Sequence, residues 1–414
     1  MLTTITSAAQ QECGIKFESD SSWHDILSIA KSEDKFIFVD CYASWCVPCK
    51  AMDNNVFTKK EVGEYINDKF ISVRVRMDTS YQSLLRQFRI DVYPTYLFFS
   101  PEGIIVHRDN GYKSIPDFLN LLKEAANPQT QYYTLLRAYD SGISEYRNMP
   151  WLAYRSLRNG DTAHAGFIAK DYINNYLFKS GDSDLYAMEN IRFMAKFIKG
   201  SHGKDFWFFY THSGRIDKIM GRKGYSREIV EHIITEEEIA PQLWRGNIPK
   251  NDHPAWNSLT SVISRKYGRE YAKKAVLDAQ IGWYNYKMDW TDLIKSSVHR
   301  IEEFGLDTAG LGTLYLNNFI WTAVFLHSDS KEIINKAISW EEIIIKGHPG
   351  DFPAIDTYAN LLYKAGRVRE AVSWEEKVDR LDEEDAKRNK RIRDMDYERT
   401  LHKMLAGIRT WSSD

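Results

Sequence analysis

Cys46 and Cys49, set three positions apart in Trp45-Cys46-Val47-Pro48-Cys49-Lys50, are the residues of this chain best suited to covalent chemistry. At that spacing two thiols close a small disulfide ring and reopen it by exchange with another disulfide. The apolar run Phe36-Ile37-Phe38-Val39 leads into them through Asp40, so a strand feeds the pair and a helix follows it. Unpaired N–H groups and the positive end of the dipole favour a thiolate at a helix start. Cys46 is therefore the expected nucleophile. Cys49, one helical turn on and facing inward, is the thiol that resolves a mixed disulfide. Pro48 fixes the helix start, and Val47 shapes access to Cys46.

Two further features complete this candidate site. A carboxylic acid at the end of an apolar strand is costly unless it has a partner or a task. Beside the cysteines, Asp40 reads as a buried general base that takes the proton of Cys49, in preference to a strand-end carboxylate in water. Tyr93-Pro94-Thr95 precedes the run Tyr96-Leu97-Phe98-Phe99. Proline cannot donate to a ladder, so Pro94 must open its strand. A cis Tyr93–Pro94 bond would set the backbone beside Cys46 as a docking edge for peptides, whereas a trans bond would only start a strand.

The elements that must hold these residues follow from periodicity. Trp23–Ser32 has helical spacing, Phe36–Cys41 is a buried strand, and Lys59–Lys69 is a helix. Phe70–Met77 alternates as a strand with one buried face, and residues 80–88 read as a helix. Thr95–Phe99 and Ile104–His107 form a hairpin through Ser100-Pro101-Glu102-Gly103, and Ile115–Ala126 is an amphipathic helix. Together these make an α/β sandwich of about 110 residues. Residues 1–13 read as a disordered tail or signal-peptide remnant, 14–126 as the sandwich domain, 127–129 as a linker and 130–414 as a helical domain.

Composition changes after the linker: ten of the twelve tryptophans lie beyond it, and all four cysteines before it. Ala337-Ile-Ser-Trp-Glu-Glu342 recurs 34 residues later as Ala371-Val-Ser-Trp-Glu-Glu376, the period of tetratricopeptide-like helix pairs. The expectation is an all-α, repeat-like array whose tryptophans pack between helices. Asp382–Arg399 reads as a solvated charged helix.

Residues 20–126 resemble the thioredoxin family. Asp40 falls on that family's buried acid, Pro94 on its cis-proline, and Arg74 where a lysine often stands near the acid. Val56-Phe57-Thr58, with Asp91-Val-Tyr-Pro94 and the strand after it, is more similar to the exported branch typified by the DsbD C-terminal domain. Cys-Val-Pro-Cys is similar to TlpA-type reductants. The resemblance implies a thioredoxin fold and a thiol–disulfide oxidoreductase, a protein disulfide reductase in direction. Cys46, Cys49 and Asp40 would carry the chemistry, with Trp45, Val47, Pro48, Lys50, Tyr93 and Pro94 in support. It further implies protein disulfides as substrates and an upstream thiol reductant, for which a membrane-bound donor is one option. The expected setting is periplasmic or exported, in preference to cytoplasmic. Val47, where many relatives carry Gly, argues against reduction by a cytosolic thioredoxin reductase.

The other reading is an interaction protein, its helical domain binding a partner and its sandwich serving as platform or redox sensor. No cofactor beyond the cysteine pair is expected. A formal net charge of −2 gives no reason to expect nucleic acid. No apolar run reaches a bilayer-spanning length. The eleven histidines are scattered, so no metal site is expected. Cys41, on the opposite face of the strand from Asp40, reads as a buried structural thiol, and Cys13 as a stray or intermolecular one.

Overall fold

Alternating and continuous apolar runs become a five-stranded sheet in a computed structural model that describes residues 14–19, 22–77, 87–88, 90–308 and 310–411. Its strands are β1 (Phe17–Glu18), β2 (Phe36–Tyr42), β3 (Phe70–Arg76), β4 (Thr95–Phe99) and β5 (Ile105–Asn110). They lie in the order β1-β3-β2-β4-β5. β3 runs parallel to β1 and β2, while β4 is antiparallel to both β2 and β5. Strand β2, which carries Asp40, is thus central, and five of its seven residues are buried.

Period-2 alternation assigns each face of β2 to a different layer. Ile37, Val39 and Cys41 pack with Ile26 and Ala30 of α1 (Trp23–Glu33). Phe38 packs on the other side with Met52, with Val62 and Ile66 of α3 (Lys60–Lys69), and with Phe118 and Leu122 of α4 (Ile115–Ala126). Ser22 and Asp25 form a reciprocal capping box at the start of α1, which fixes its entry into the sandwich. Two details differ from the sequence expectation. Phe17–Glu18 adds an edge strand too short to show periodicity, and β5 runs on to Asn110, past the expected end at His107. The helix expected over 80–88 lies outside the described residues except at 87–88, as does Cys13.

After α4 the chain turns at Asn127–Gln129 and stays with the sandwich. The helix α5 (Tyr132–Asp140) packs along β5, and Tyr132 N–H donates to the buried His107 Nδ1 at 2.9 Å. The helix α6 (Met149–Arg158) sends Arg155 back to Asp109 of β5, at 2.8 Å, and to Glu124 of α4. The chain divides into two compact units, one of residues 1–198 with 218–221, the other of 199–217 with 222–414. The compact division therefore falls well beyond the expected linker, because Gln131 and Tyr132 are buried against the sandwich.

The second unit is predominantly helical; among its described residues the exception is a short hairpin of Trp244–Arg245 with Ile248–Pro249. The sequence repeat falls on the helices Lys331–Gly347 and Val368–Asn389. Ala337 and Ala371 are fully buried, and so are Glu341 and Glu375, at equivalent positions. Burial pushes both glutamic acids well above the usual carboxylate range. They hold their protons in the core.

Candidate functional site

The chain leaves β2 at Tyr42 and enters α2 (Val47–Met52) with Cys46 as the N-cap residue. Cys46 has an extended backbone there, and its sulfur accepts the Cys49 N–H at 3.1 Å. A helix-start N–H thus points at the sulfur, which is what favours a thiolate when the pair is reduced. Cys46 and Cys49 are joined as a disulfide. Pro48, in the first turn, gives up an N–H that the helix does not need there.

The structure gathers most of the expected site. Both cysteines are buried and pack with Ala43, Tyr42 and Tyr93. Trp45 is 67% exposed and meets Tyr93 edge-on at 5.6 Å. Val47 is 74% exposed on the approach to Cys46, and Lys50 is exposed one turn along α2. The Tyr93–Pro94 bond is cis. Pro94 itself is buried, and its carbonyl accepts the Gly111 N–H at 2.8 Å, which ties this segment to the end of β5.

Asp40 is 1% exposed, in register with Arg74 on β3 and Tyr96 on β4. Arg74 Nε donates to its Oδ2 at 3.1 Å, and among the described residues no hydrogen bond reaches Oδ1. Burial pushes this carboxyl up to about 7; Arg74 opposes the rise and Asp53 adds to it. A carboxyl that titrates near neutrality can both take and return a proton at the working pH. Cys41, on the other face, is buried and free, and burial drives its thiol far above the usual range, so it stays inert.

One participant escaped the sequence reading. Asp53 follows α2, and its N–H donates to the Cys49 carbonyl. Its Oδ1 lies 2.9 Å from Arg74 Nη2, an ion pair lacking hydrogen-bond alignment. The arginine thus bridges Asp40 and Asp53, with its guanidinium carbon 4.3 Å from the centre of the Tyr42 ring. The spacing of four from Cys49 was the available signal, since it puts Asp53 on the same helical face. Among the described residues no group of three or more His, Cys, Asp or Glu could hold a metal, and no helix is long and apolar enough to cross a membrane.

Comparison with known proteins covers the N-terminal part of the chain. Residues 20–101 match a family model described as thioredoxin-like. Thioredoxin Y1 of Arabidopsis thaliana is 31% identical over 98 residues, covering 24% of this chain and 53% of that protein. The thiol:disulfide interchange protein DsbD of Tatumella citrea is 29% identical over 121 residues, covering 28% of this chain and 21% of that one. A solution structure of a candidate disulphide-isomerase from Bacteroides thetaiotaomicron is 36% identical, with a TM-score of 0.24. That match covers 28% of this chain and 92% of the other. The chain thus spans about half, or less, of the curated relatives named here. Its N-terminal region is a thioredoxin-like domain with homology to thioredoxins and to DsbD.

Proposed function

We propose that this protein is a thiol–disulfide oxidoreductase that reduces protein disulfides. The observation that carries the reading is the Cys46–Cys49 pair at a helix N-terminus, directly after the strand that holds a buried carboxyl titrating near pH 7. In the reduced protein the Cys46 thiolate attacks one sulfur of a substrate disulfide; that bond breaks and the first substrate thiolate leaves. Cys49 gives its proton to Asp40 and, as thiolate, attacks Cys46 Sγ. The mixed disulfide breaks, the second substrate thiolate departs, and the Cys46–Cys49 disulfide closes with two electrons passed to substrate. An upstream dithiol returns those electrons.

The segment Tyr93-Pro94 supports docking of the substrate backbone, and the exposed Trp45 and Val47 frame the approach. Homology to DsbD supports a periplasmic or exported setting, with a thiol reductant as upstream partner. Dithiothreitol-driven insulin reduction tests the activity. The wild-type protein should precipitate insulin well above the uncatalysed rate and Cys46→Ser should not; undiminished turnover in Cys46→Ser sinks the assignment.

A further inference from the structure

We propose that an aromatic cavity in the first unit, lined by Tyr154, Tyr172, Tyr176 and Phe193 with Asp184 and Glu189 at its rim, binds an arginine side chain presented by a partner protein. The site is independent of the redox reading and shares no residue with it.

The cavity measures about 600 Å³. Tyr146 stacks on Tyr176 at 5.3 Å, and Tyr176 on Tyr172 at the same distance, with interplanar angles of 25° and 23°. Tyr154 and Tyr172 both meet Phe193 edge-on, at 84° and 83°. Hydrogen bonds fix the row: Tyr176 donates to Asp184 Oδ2 at 2.8 Å and Tyr172 to Asn190 Oδ1 at 3.1 Å. A closed aromatic core would leave no such space. Here Tyr154, one of the lining rings, is 42% exposed, so ring surface is open to a ligand.

Ring faces carry negative potential, and a cation over them is attracted. The rim is acidic in balance, with Glu145, Asp184 and Glu189 against one cation. Arg147 is the cation among the lining residues, and it is ion-paired at 2.5 Å with Glu145. Asp184 and Glu189 therefore have no cation set against them within the lining. The Asp184 hydrogen bond and charge raise Tyr176, while burial, followed by Tyr176 and Asp184, pushes Tyr172 up to about 12.

Guanidinium fits this arrangement better than ammonium. It is planar and weakly hydrated, so it lies flat on a ring while its N–H fork reaches a carboxylate. The cavity is larger than one side chain needs, leaving room for the flanking backbone of a protein segment.

The test is fluorescence anisotropy of the full chain with a dye-labelled Gly-Ser-Arg-Ser-Gly-Ser peptide and its Lys and Glu counterparts. The arginine peptide should bind saturably, the lysine peptide about tenfold more weakly, and the glutamate peptide not at all. Glu189→Gln, on an exposed first turn, and Asp184→Asn, which keeps an acceptor for Tyr176, should each weaken arginine binding about fivefold or more. Tyr176→Leu should abolish it; if that variant misfolds by circular dichroism, Glu189→Gln still decides. Failure of the arginine peptide to saturate, equal binding of the arginine and glutamate peptides, or affinity unchanged in both acid variants overturns the proposal. Equal affinity for lysine overturns the assignment to guanidinium.

Discussion

Asp40 and Asp109 are the same residue on the same face of one sheet, each in register with Tyr96 from opposite sides, and they ionise in opposite senses. Both are nearly inaccessible. Among the described residues Asp40 has one cation, Arg74, which it shares with Asp53, and burial wins, lifting it to about 7. Asp109 faces burial as well, but Lys113, Arg155 and Arg158 surround it and hold it below the ordinary range. The number of compensating cations decides the outcome. One end of the row keeps a proton to exchange; the other is a fixed charge that pins α6 to the sheet.

Breaking the fixed end should have the largest effect. Arg155→Met leaves Asp109 and Glu124 short of a partner in a buried network, and should cost about 3 to 5 kcal/mol. A lowered urea midpoint with unchanged slope would show it. An effect below 1 kcal/mol would mean that Lys113 and Arg158 suffice alone.

At the exchanging end the sign reverses. The folded pKa of Asp40 lies above its unfolded value of 3.8, so the folded state keeps the proton longer. Its cost is absent below about pH 4 and grows as pH rises toward 7. Asp40→Asn should therefore stabilise the protein at pH 8 by up to about 4 kcal/mol and leave it unchanged at pH 4, while slowing resolution by Cys49 about tenfold or more. Paired melts at the two pH values, with stopped-flow release of a thiol product, read both effects.

Beside Asp109, the buried His107 accepts the Tyr132 N–H, and burial together with Arg155 pushes it down to about 3. A depressed histidine stabilises above its unfolded pKa, and that stability drains as pH falls below about 6.5. Stability should drop by about 2 to 3 kcal/mol between pH 6.5 and 4.5, and His107→Gln, which keeps an acceptor, should flatten the slope. The smallest change comes from Arg74→Met. Freed of its cation, Asp40 should titrate higher, moving the pH midpoint of disulfide resolution up with it.

What could be read from sequence was local. The strand into Cys46, the helix after it and the proline that opens β4 each rest on a few adjacent residues whose spacing carries the chemistry, and Asp40 stood out because an acid in Phe36–Tyr42 is anomalous. Asp53 needed helical spacing combined with a strand partner. Asp109–Arg155 joins positions far apart in sequence, and Tyr132 to His107 is a backbone donor on a side chain, so neither leaves a pattern. Asn127-Pro128-Gln129 looks like a linker because a turn and a linker share composition; only the burial of Gln131 and Tyr132 separates them. The tyrosines of the aromatic cavity come from separate elements and meet only in the fold.

Trapping the exchange intermediate tests the central claim most directly. Cys49→Ala, incubated with a disulfide-bonded protein substrate and analysed by non-reducing gel and mass spectrometry, should accumulate a mixed disulfide through Cys46, while Cys46→Ala accumulates none. Adducts on Cys49 in place of Cys46, or none in either variant, would contradict the assignment of Cys46 as the attacking sulfur.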